Sequence, residues 1–310
     1  MTKTETFTNP IALRGADPYL IKHGDVYYYC HSVGTGVAVR PCSNIHTITE
    51  NESVVVYRAP EGGMYSKEYW APELHFIRGE WYIYVAADDG DNYNHRMYVL
   101  KCVGDVPTMP FEMVGKIADA TDKWAIDGTV LSVNNELYFA WSGWEGDVNV
   151  AQNIYISHMG SPTSIDGARV ILSKPEFDWE LLGGEPKINE GPSVIAKDGA
   201  VHIIYSASGS WCDDYCLGIL TYRGGDILDP ASWVKSPVPI LVKAHESYGP
   251  GHNSFTTDKA GNDWIIYHAN IKSGSGWGGR SVRAQRVEWD GDMPHIGAPA
   301  GVGAELSIEV

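Results

Sequence analysis

Ala16-Asp17-Pro18-Tyr19-Leu20-Ile21, followed across a Gly24-Asp25 turn by Val26-Tyr27-Tyr28-Tyr29, is the first copy of a pattern that runs through the whole chain. The second copy is Ala71-Pro72-Glu73-Leu74-His75-Phe76 with Trp81-Tyr82-Ile83-Tyr84, and the third is Ile126-Asp127-Gly128-Thr129-Val130-Leu131 with Leu137-Tyr138-Phe139-Ala140. Glu190-Gly191-Pro192-Ser193-Val194-Ile195 with Val201-His202-Ile203-Ile204-Tyr205 is the fourth. Gly251-His252-Asn253-Ser254-Phe255 with Asp263-Trp264-Ile265-Ile266-Tyr267 is the fifth. Each copy has a small or acidic opening, an apolar run, a turn, and a second run rich in aromatic or β-branched residues. Short runs of this kind separated by Gly or Asn turns read as β-hairpins. Taking Tyr27, Tyr82, Tyr138, His202 and Trp264 as markers gives spacings of 55, 56, 64 and 62 residues. Self-similarity at such a period is the signature of propeller blades, and no window carries a long helical period. The expectation is an all-β, five-bladed β-propeller, with residues 1–310 forming a single catalytic domain.

The repeat gives the acidic residues a geometric meaning. Asp17, Asp127 and Glu190 precede their markers by 10, 11 and 12 residues, so each stands at the entry of a blade's first strand. That strand is innermost in a propeller, and three carboxylates are therefore expected to converge on one axial pocket. Crowded carboxylates repel and raise the pKa of at least one member. A carboxylic acid that keeps its proton beside an ionised partner is the equipment of glycoside hydrolysis.

Composition narrows the partners. The net charge is −16, without the clustered Lys and Arg that hold a phosphate backbone, so nucleic acid and polyanionic substrates are disfavoured. The 11 Trp and 18 Tyr against 6 Phe suit stacking on a neutral sugar. No stretch reaches 18 consecutive apolar residues, and no membrane association is expected. The five cysteines show no disulfide-scaffold spacing, and the first residues lack the apolar run of a signal peptide; the expectation is a cytoplasmic protein with free thiols.

The same stretches carry a resemblance to glycoside hydrolase family 43. They are Ala16-Asp17-Pro18, Tyr69-Trp70-Ala71-Pro72-Glu73, Ala125-Ile126-Asp127-Gly128-Thr129 and Asn189-Glu190-Gly191-Pro192. Gly249-Pro250-Gly251-His252-Asn253-Ser254-Phe255 and Gly279-Arg280, with Gln285 and Trp289, complete them. The resemblance implies an inverting glycosidase in which Asp17 is the general base, Glu190 the general acid, and Asp127 the residue that orients the acid and raises its pKa. It implies further that Arg280 reaches the bound sugar and that His252 lies near a channel cation, commonly calcium. Trp70 is expected as a stacking wall and Trp141 as part of the pocket frame. Tyr138 to Asp147 and Tyr205 to Trp211 resemble the arabinofuranosidases of the family most closely.

The expected substrate is therefore a terminal α-L-arabinofuranosyl unit on an arabino-oligosaccharide or an arabinose-decorated hemicellulose. The alternatives are a β-xylosidase or bifunctional relative of the same family, or a sugar-binding propeller without catalysis. Family β-xylosidases usually add a large C-terminal β-sandwich; about 20 residues follow Trp289, which favours the arabinofuranosidase. Asp88-Asp89-Gly90-Asp91 lacks the closing Glu of a calcium loop and reads as a solvated turn.

Overall fold

A computed structural model describes residues 3–310; Met1 and Thr2, where the expected domain begins, lie outside the described residues. Among the described residues the regular structure is β-strand and short 3₁₀ turns, and no helix is long and apolar enough to cross a membrane. The strands form five antiparallel blades in chain order. The first comprises Tyr19–His23, Val26–Ser32, Gly36–Cys42 and Val54–Arg58. The second comprises Lys67–Ile77, Glu80–Asp88, Arg96–Cys102 and Phe111–Lys116. Ala125–Val133, Glu136–Gly143, Ala151–Ser161 and Val170–Ser173 make the third. Lys187–Lys197, Ala200–Ala207, Cys216–Tyr222 and Trp233–Lys235 make the fourth.

The fifth blade has three strands of its own, Tyr248–Thr257, Asp263–Asn270 and Arg280–Arg286. Its outer edge is taken by the N-terminal segment: Ala12 bridges Val282, and the Gly15 N–H donates to the Arg280 carbonyl at 3.2 Å. Thr4–Thr8 also pairs with Glu305–Glu309, so the two ends of the chain are tied together where the ring meets itself. An edge strand left bare would be a template for pairing with another chain, and this arrangement covers it.

Local chemistry explains the hairpins. The two-residue links Arg78-Gly79, Asn134-Asn135 and Asp198-Gly199 all have positive φ at both positions, which matches the twist of the flanking strands. Between blades lie five separate apolar clusters. Trp81, Leu74 and Val39 belong to the one between the first and second blades, and Phe139, Tyr84 and Trp124 to the next. Tyr205 and Ile154 anchor the third-to-fourth cluster, Tyr267 and Leu217 the fourth-to-fifth, and Trp264 with Tyr27 seals the fifth blade against the first. Every blade thus buries both faces against its neighbours. Burial of apolar area, about 25 cal/mol per Å², is what holds blades side by side.

Candidate active site

The inner strand of each blade breaks its ladder at one recurring place. Asp17, Ala71, Asp127, Gly191 and His252 all have φ between +43° and +56°. In four of the blades the pairing register slips around this residue, between Trp70 and Glu73, Ile126 and Thr129, Glu190 and Ser193, and Gly251 and Ser254. A bulge turns two successive side chains toward the same side, which regular pleating forbids. Ile126 and Asp127 therefore both line the axial cavity. The equivalence expected for the three carboxylates is off by one residue: Asp17 and Asp127 occupy the left-handed position, whereas Glu190 stands just before it, at the place of Ile126 and Trp70. The bulge lets both places reach the axis.

The cavity has a volume of about 580 Å³, within the range of small-molecule sites. Asp17, Asp127, Glu190, His252, Arg280 and Trp70 all line it. His252 stands among the three carboxylates, its Nδ1 3.3 Å from Asp17 Oδ1 and 3.9 Å from Asp127 Oδ2. The Gly191 N–H donates to Asp127 Oδ2 at 3.0 Å, so the residue that bends the fourth blade also holds its neighbour's carboxylate. Tyr215 donates its hydroxyl to Glu190 Oε1 at 2.8 Å. The Asp17 N–H donates to His268 Nδ1 at 3.1 Å, and Arg280 approaches Asp17 Oδ1 at 3.4 Å.

These neighbours separate the carboxyl groups electrostatically. Burial alone would raise Asp17, but the charges of His252 and of the Arg280 guanidinium outweigh it and hold this carboxyl well below the usual range. Burial raises Asp127 to about 7 despite His252, and the charges of Glu190 and Asp17 add to the rise. Glu190 is also raised, mainly by burial, with His252, Tyr215 and Arg280 opposing. Burial and Arg280 push His268 down to about 3, so its ring is neutral and can accept the Asp17 N–H. The surroundings therefore favour the ionised form of Asp17 and a proton on the Asp127–Glu190 pair.

Trp141 does not belong to this cavity. It is 4% exposed and packs with Phe139 and Tyr155 in the core between the second and third blades. It lies two residues after Phe139 on the same strand, and the period of two fixes both on one face. Trp124 lines the cavity instead. Asp88 is also not in a solvated turn: it is fully buried and sits 2.9 Å from His95 Nδ1. The His95 ring stacks on Trp70 with centroids 3.9 Å apart and so backs the cavity wall. Tyr215 and His268 have no local sequence signal: Tyr215 reaches Glu190 from 25 residues further along the same blade, and His268 reaches Asp17 from the fifth blade.

The family model described as glycosyl hydrolases family 43 matches residues 7–294. An extracellular exo-α-(1→5)-L-arabinofuranosidase of Streptomyces avermitilis is 36% identical over 96% of this chain, which spans 64% of that relative's length. A Streptomyces chartreusis protein of the same name is 32% identical over 85% of this chain and 82% of its own. The crystal structure of an α-L-arabinofuranosidase from Lactobacillus brevis superimposes with a TM-score of 0.89 at 31% identity, covering 96% of this chain and 98% of that one. Two of these relatives are named extracellular, which overturns the expectation of a cytoplasmic protein. The thiols were a poor guide, since Cys30, Cys42, Cys102 and Cys216 are buried and shielded in any compartment. With the family match running through all five blades, the chain belongs to glycosyl hydrolase family 43.

Proposed function

We propose that the chain is an inverting exo-α-L-arabinofuranosidase that removes terminal arabinofuranosyl units from arabino-oligosaccharides or arabinose-decorated hemicellulose. The observation that carries this reading is the convergence of three carboxylates on one cavity in unequal surroundings: Asp17 faces His252 and Arg280, which favour its ionised form, while burial favours a proton on the Asp127–Glu190 pair. Asp17 takes a proton from water as its oxygen attacks the anomeric carbon. Glu190 gives its proton to the glycosidic oxygen, and the bond to the leaving sugar breaks in the same step. Catalysis is proposed to use the shared proton on Glu190; the Gly191 N–H, by favouring ionised Asp127, works in that direction against the burial that raises Asp127. Arg280 is proposed to hold both the sugar and Asp17, and Trp70 to supply a stacking face. Residues 1–310 are proposed to act as one catalytic domain.

The resemblance also implies a channel calcium. Calcium takes six to eight oxygen ligands, and among the described residues no three His, Cys, Asp or Glu side chains gather as a metal-holding group. His252 could contribute one ring nitrogen and the orphaned buried Asn253 Oδ1 one oxygen. These two donors would leave most of a calcium shell to water, and no step above depends on the ion.

Stereochemistry tests the reading. With Asp17 activating water across the cavity from Glu190, an α-arabinofuranoside releases β-arabinofuranose first, as read by proton NMR before mutarotation. Initial release of the α anomer would require a covalent intermediate and would refute the assignment of Asp17.

A further inference from the structure

The mouth of the cavity carries an aromatic corner that the proposed chemistry leaves unused. Trp211 and Trp277 meet edge to face, with centroids 6.1 Å apart and planes at 89°. Both line the cavity that holds Asp17 and Glu190, yet Trp277 is 63% exposed. Trp277 thus presents an open indole face beside the cavity.

Both rings are held in place. Trp211 donates Nε1–H to the Gly183 carbonyl at 2.8 Å, and Trp277 donates to Ser210 Oγ at 3.2 Å. The loop that presents Trp277 is pinned at one end by Asp213, which accepts from Ser273 and from the Gly274 N–H. Asn270 donates to the Gly276 carbonyl at 2.9 Å and pins the other end. The glycine-rich stretch is thus a braced platform, and ligand binding to it loses little side-chain entropy. Ser210 also connects this corner to the reacting centre: its carbonyl accepts from Arg280 Nη2 at 3.1 Å, while Arg280 Nη1 lies 3.4 Å from Asp17.

Volume argues for a second sugar. A pentosyl unit has nine non-hydrogen atoms and, at no more than about 30 Å³ each, takes at most about 270 Å³. The cavity of about 580 Å³ exceeds that by roughly a factor of two. One ring at the carboxylates leaves room for the next, and the next must lie toward the mouth.

We infer that Trp211 and Trp277 form the binding site for the leaving-group sugar, a neutral pentose ring stacked on the indoles, and that Ser210 keeps this platform in register with Arg280. This rests on the arabinofuranosidase reading of the same cavity. The test compares kcat/KM for α-1,5-arabinobiose, for an arabinosylated xylobiose, and for α-arabinofuranosyl fluoride, which has no leaving sugar. In Trp277→Ala the oligosaccharide-to-fluoride ratio is expected to fall at least tenfold, and Trp277→Phe, which keeps a stacking face, is expected to restore most of it. A fall only with arabinobiose assigns the site to a furanose ring, and a fall only with arabinosylated xylobiose to a pyranose ring. An unchanged ratio with both would overturn the inference while leaving the enzyme reading intact. Wild-type protein inactive on all three would instead overturn the enzyme reading itself.

Discussion

Replacing Asp127 by Asn should stabilise the fold, and do so only as the pH rises. The carboxyl titrates at about 7 in the native state against 3.8 in an unfolded chain, and it is 5% exposed. A group whose pKa is raised by folding supports the native state below its unfolded pKa. That support is lost as pH climbs through the native value, because the unfolded chain releases its proton first. At about 1.4 kcal/mol per pKa unit, the window from 3.8 to about 7 corresponds to about 4 kcal/mol. An unfolding entropy of about 2.1 cal/mol/K per residue over 310 residues converts this to about 6 °C in Tm. The amide is isosteric and can still accept the Gly191 N–H. Thermal unfolding of both proteins from pH 4 to pH 8 should therefore show similar Tm values at pH 4 and a variant about 6 °C higher at pH 8. The same variant should be a poor enzyme whose basic pH limb lies lower, since Glu190 has lost a negative neighbour. A Tm difference that stays flat with pH would refute the electrostatic account of the cavity.

Two further outcomes are expected. Glu190→Ala should depress kcat on substrates with poor leaving groups by about 10²–10⁴, the usual worth of general acid catalysis, while activated aryl arabinofuranosides lose far less; equal losses across a leaving-group series would remove Glu190 as the acid. Gly191→Ala should cost about 1–2 kcal/mol in chemical denaturation, because its φ is +53° and the added Cβ would stand 3.2 Å from the His252 ring; an unchanged midpoint would mean the turn tolerates a side chain.

The blades were legible because their signals are local. A Gly or Asn at a tight turn and an aromatic run beside it are written within a dozen residues, and Arg78-Gly79 or Asn134-Asn135 folds by itself into the link it suggests. The fifth blade's outer edge was not legible, since Ile11 and Ala12 find Val282 only after the ring closes. The spacing from the aromatic markers points to Asp17, Asp127 and Glu190 but not to Glu68, which also lines the cavity, nor to their true alignment, because a bulge adds a residue without leaving a compositional trace. Trp141 lies in the core for a reason the sequence carries: its parity with Phe139 on one strand puts both on the buried face. Asp88 was misread because its partner His95 lies seven residues on, across a turn that looks solvated from composition alone.

The five left-handed backbone positions around the axis act as mounts that are mechanically separate from the walls. A side chain exchanged at position 17, 127 or 252 alters what faces the substrate without removing an apolar contact between blades. Three of the mounts carry Asp17, Asp127 and His252, Gly191 flanks Glu190, and Ala71, with only a methyl group, leaves its sector to the neighbouring Trp70. A lineage of such proteins can therefore change its reaction by refitting one mount at a time, with the scaffold's cohesion held elsewhere. The second blade is the berth where a new polar group could be tried first.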